Sequence, residues 1–205
     1  MRLLPFAIVM LLVSGAAYYW TRPPDTAYAG EEAGPTIAAS RGSVKPVIDI
    51  EAAYRSIPHK RTVFLPDQAQ MSRQESSYLQ ALFALTDCVV AGRVHLQDRL
   101  RRGHSVEIAT TNYPAIMQGV RSLETPPGLV PVQSLILEAI QEQRDYLEKW
   151  AQSGDPRYFN RHAPLIQKSH GKLIAAYLEL KRRYSGESAH NSQAFYDYLC
   201  ALDFI

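Results

Sequence analysis

Five polar residues fall where the chain should present an apolar surface: Asp87, Arg93, Gln143, His170 and Asp197. A charge buried among hydrocarbon side chains costs on the order of several kcal/mol unless it is paired. Arg93 is therefore expected to pair with Asp87 or Asp197, with Gln143 completing the network. A competing reading sets the same groups at the margins of helix faces, where long side chains reach water. Were they to converge on one cavity, Arg93, Gln143 and His170 would line a pocket for an apolar ligand or cofactor.

Reactive constellations are scarce. His59, His95, His104, His162, His170 and His190 are scattered, and HExxH is missing. Glu187-Ser-Ala-His190 has the Glu-x-x-His spacing of di-iron bundles, but those need two copies and further glutamates. This one follows Gly186 and reads as a solvated turn. G-x-S-x-G, the P-loop, G-x-G-x-x-G and C-x-x-C-H do not occur. No catalytic residue, metal or cofactor is assigned. Cys88 and Cys200 admit two readings in an exported domain: one disulfide, or two buried thiols that behave as small hydrophobes.

These residues ride on helices. Leu79, Leu82, Leu85, Val89, Val90 and Leu96 recur at three- and four-residue steps, which predicts a long central helix capped by Ser72 or Ser76 and ended near Gly103. Further helices are expected over residues 113–123, 130–152, 164–184 and 192–202. Pro114 and Pro164 sit in first turns, where a missing N–H costs little, and Gly154 and Gly186 act as stops. Residues 105–111 read as a loop. With no convincing alternating strand, the fold expected is all-α, an up-and-down bundle of four to five helices over residues 69–205. Tyr158 and Phe159, on a predicted loop between Gly154 and Pro164, are the candidate partner contact, since Tyr and aromatic residues are enriched at interfaces.

The N-terminus sets the address. Leu3–Trp20 is an uncharged apolar run behind Arg2, broken by Arg22, Pro23 and Pro24. A spanning helix needs roughly 20 apolar residues, and Tyr18, Tyr19 and Trp20 suit a headgroup interface. Residues 1–20 thus read as a transmembrane signal-anchor, or as a signal peptide cleaved after Ser14-Gly15-Ala16 or Ala27-Tyr28-Ala29. Charge bias puts the N-terminus in the cytoplasm and the bundle outside, in a periplasm. Residues 21–68, rich in Pro, Gly, Ala and Ser, read as a flexible linker. Within it, Val47–Tyr54 and Thr62–Leu65 are apolar enough to pack on the domain or on a partner.

Net charge is +2, so a nucleic-acid-binding role, which demands clustered Lys and Arg, is not expected. The functional expectation is a membrane-tethered or secreted helical interaction domain, non-enzymatic, contacting another envelope protein. A ligand- or cofactor-binding bundle around Arg93, Gln143 and His170 is the alternative.

Overall fold

The computed structural model describes residues 49–108 and 113–204. The apolar run Leu3–Trp20 and the linker as far as residue 48 lie outside the described residues. Those described form an all-helical body with no strand and six α-helices: α1 (Ile50–Arg55), α2 (Arg73–Arg101), α3 (Tyr113–Ser122), α4 (Val130–Ser153), α5 (Pro164–Arg183) and α6 (Ala189–Leu202).

Local sequence explains the boundaries. Ser72 and Glu75 form a reciprocal capping box that satisfies orphan amides at the start of α2. At its end Gly103 adopts φ +74°, and the amides of Gly103 and His104 return to Leu100 and Arg99. That is the Schellman closure, which glycine alone enters without strain. Pro131 and Pro164 start α4 and α5, and Gly154 stops α4 at φ +64°. Ser188 caps α6 through the Asn191 amide. That helix opens three residues before the predicted start, so His190 belongs to its first turn and not to a solvated loop.

The core is continuous. Leu79, Leu82, Val89 and Val90 of α2 are fully enclosed, as are Val132, Ile136 and Ile140 of α4. Each such side chain contributes about 1.5–3 kcal/mol relative to exposure. Among the described residues α2 is long and apolar enough to cross a bilayer, and 56% of that stretch is buried inside the protein. A central core helix passes the same test.

The folded body reaches further toward the N-terminus than composition suggests. Residues 49–68, assigned above to the linker, are packed: Tyr54 and Phe64 are core residues, Phe64 with 3% of its surface exposed. Phe64 sits 5.6 Å from Phe83 and 5.9 Å from Phe195, ring centre to ring centre. Phe83 stacks on Tyr198 at 4.4 Å. One well-placed phenylalanine outweighs an otherwise polar composition, because a large ring buries more apolar area than most side chains.

Candidate functional site

The predicted single network is resolved into two clusters. In the first, Asp87 of α2 meets neither Arg93 nor Asp197. Its carboxylate accepts from the Tyr54 hydroxyl at 2.7 Å and from Arg61 Nη2 at 2.6 Å and Nε at 3.2 Å. Arg61 also reaches Glu51 at 2.8 Å. Burial pushes the Asp87 carboxyl up, against the pull of Arg61 and Tyr54.

Arg61 begins a strap of irregular chain, with one 3-10 turn at Pro66–Gln68, that is bonded to α6. Thr62 donates to Asp197 at 2.5 Å, and the Val63 carbonyl accepts from His190 Nε2 at 2.8 Å. Asn191, fully buried, accepts from the Leu65 amide at 3.0 Å and donates to its carbonyl at 3.1 Å. The Gln70 amide closes the seam on Glu187 at 2.8 Å. Backbone groups outside regular structure need such partners, and side chains of α6, with Glu187 just before it, supply them. His59 lies just upstream with its Nε2 buried and, among the described residues, unpartnered. Burial first, then the charge of Arg93, holds its pKa down, against Asp203 and Asp197.

The second cluster locks the end of α6. The last carbonyls of a helix lack internal partners, which is tolerable in water and costly in a core. Arg93, 2% exposed, donates to the Ala201 carbonyl at 2.7 Å and also to the Asp203 carbonyl. Gln143, with no exposed surface, donates to the Leu202 carbonyl at 2.7 Å and to Ser169 at 3.1 Å. His170 Nδ1 meets the Asp203 carboxylate. The Phe204 ring lies 5.2 Å from the Arg93 guanidinium and 5.7 Å from the Tyr146 ring. Burial opposes the charge of Arg93. The negative end of the helix dipole and Asp203 favour it.

Arg93, Gln143 and His170 therefore do come together, around a segment of the chain itself. The sequence reading missed Tyr54, Arg61, Thr62, Asn191 and Asp203. A buried Asp87 announces that a partner is required, and nothing in its own helix says the partner lies in the linker.

Tyr158 and Phe159, the candidate partner contact, pack against the core at one side. Both are partly buried. Phe159 packs 5.7 Å from Trp150 and 6.3 Å from Phe204, and Tyr158 lies 5.8 Å from Tyr146. The loop is pinned by Trp150 Nε1 on the Asp155 carbonyl at 2.9 Å and by the Asn160 amide on the Tyr146 hydroxyl at 2.6 Å. Their rings pack against the core and keep part of their surface exposed. Cys88 and Cys200 are free thiols, each partly buried. Burial pushes both thiols up, which disfavours the nucleophilic thiolate.

Among the described residues no group of three or more His, Cys, Asp or Glu side chains is placed to hold a metal ion. A concavity of about 300 Å³ is lined by residues such as Val106, Ile108, Glu148 and Ala151, and includes none of the five polar residues singled out above. Comparisons with protein-family models, with curated proteins and with solved structures find no match.

Proposed function

We propose that this chain is a non-enzymatic interaction domain, exported and tethered by Leu3–Trp20, whose helices run up and down in succession and whose body contacts another envelope protein. One observation carries the reading: each polar residue that promised chemistry is occupied in holding the fold. Asp87 secures the strap, Arg93 and Gln143 cap α6, His170 meets Asp203, and Asp197 receives Thr62. The test is photo-crosslinking in native membranes from exposed positions of α4 and α5. A discrete crosslinked protein of constant mass is expected. Crosslinks to no protein from any position would overturn the reading.

A second reading, a ligand-binding bundle around Arg93, Gln143 and His170, has one observation in its favour. Arg93 Nε and Gln143 Oε1 are buried and lack a hydrogen-bond partner among the described residues. Native mass spectrometry tests it: a mass above that of the chain supports a bound molecule, and the bare chain mass ends the reading.

A further inference from the structure

Five large apolar side chains are exposed among the described residues, and three lie on adjoining helices: Ile174 at 43%, Leu178 at 54% and Tyr196 at 45%. Ile174 and Leu178 are one turn apart on α5 and so share a face. Tyr196 of α6 is joined to that helix by its edge contact with Tyr177, 5.5 Å between ring centres.

The charges that remain unpaired on α5 are cationic. α5 carries Lys168, Lys172, Lys181, Arg182 and Arg183 against a single carboxylate, Glu179. Lys172 is satisfied by Glu138 and Glu142, Arg183 by Glu75, and Arg182 shares Glu179. Lys168 and Lys181 are exposed and, among the described residues, have no carboxylate within ion-pair distance.

We infer that this α5–α6 face rests on an anionic lipid surface. Aliphatic side chains beside a tyrosine and cations are the composition of an interfacial contact, in which the apolar groups enter the headgroup boundary and the ammonium groups meet phosphate. A second copy of the same face would bring like charges together. The contact is small, but a tether raises the local concentration of bilayer enough for a weak contact to persist. The inference rests on Leu3–Trp20 as an anchor and is independent of which protein the domain meets.

The test uses the full chain, with Cys88 and Cys200 replaced by alanine, carrying a nitroxide at Leu178→Cys or, as control, at Gln152→Cys on α4. It is mixed with vesicles of phosphatidylcholine or of phosphatidylglycerol. Flotation with both vesicle types reads the anchor. At position 178, accessibility to oxygen relative to a water-soluble nickel chelate is expected to rise several-fold on phosphatidylglycerol. Phosphatidylcholine should leave it unchanged, Lys168→Glu with Lys181→Glu should abolish the rise, and position 152 should stay aqueous throughout. A chain that floats with both vesicles while position 178 remains aqueous overturns the face and leaves the anchor standing. A chain that floats with neither refutes the anchor and this proposal with it.

Discussion

The guanidinium of Arg93, in the C-terminal half of α2, closes the last turn of α6 by donating to the Ala201 carbonyl at 2.7 Å. It thereby ties the start of the bundle to its end. Arg93→Ala would leave the Ala201 and Asp203 carbonyls buried without donors, and should cost about 3–4 kcal/mol in urea unfolding at constant m. Arg93→Lys should recover only part of that, because one ammonium does not reproduce the planar fork. Gln143→Leu, which strands the Leu202 carbonyl, should cost about 1–3 kcal/mol.

Phe64 anchors the strap in a ring cluster with Phe83 and Phe195. Phe64→Ala removes a buried aromatic, a change typically worth about 3–5 kcal/mol. The loss should be local. Hydrogen exchange over residues 49–70 should quicken while α4 and α5 keep their protection. Uniform acceleration across the domain would contradict a separable strap.

The Asp87–Arg61 pair is buried on one side and half-buried on the other. Asp87→Asn and Arg61→Ala should each destabilise, since each leaves a partner desolvated. Their double-mutant cycle should return a coupling of about 1–3 kcal/mol. A coupling near zero would mean that Tyr54 alone holds Asp87.

Acid should weaken the domain in two stages. His59 is held below its ordinary 6.5, so the unfolded chain takes up a proton there first and stability falls as pH drops through that value. For Glu75, burial is outweighed by hydrogen bonds from Arg183 and Ser72, which bring its carboxyl down to about 2. Its contribution is complete above its ordinary 4.5 and is lost as pH falls toward 2. Melting temperature followed from neutral pH downward should lose the first stage in His59→Gln and the second in Glu75→Gln.

Gly128 keeps that same ion pair in place. A Cβ there would lie 2.1 Å from the Arg183 guanidinium carbon, so Gly128→Ala must push Arg183 off Glu75. The expected cost is about 0.5–1 kcal/mol, that of the pair itself. Adding Gly128→Ala to Arg183→Ala should cost nothing further in thermal unfolding.

The helices of the bundle were readable because their signals are local. Apolar residues every three or four positions, Pro164 in a first turn, and Gly103 and Gly154 at ends place α2, α4 and α5 nearly to the residue. Asp87 and Arg93 could be recognised as buried charges needing partners, but not whom they meet. Those partners are set by tertiary approach: Arg61 is 26 residues from Asp87, and Arg93 bonds to Asp203 across 110. The strap escaped because composition averages over a window, whereas docking depends on Tyr54, Phe64 and a row of side chains on α6.

The strap also decides where a working fragment of this protein must begin. One started at α2 would keep every long helix yet strip the lid from Phe83 and Phe195, take the Leu65 backbone away from Asn191, and abandon Asp87 in oil with no cation. Such a truncation should clump on purification, whereas one opened upstream of Asp49 should behave as a well-dissolved monomeric body.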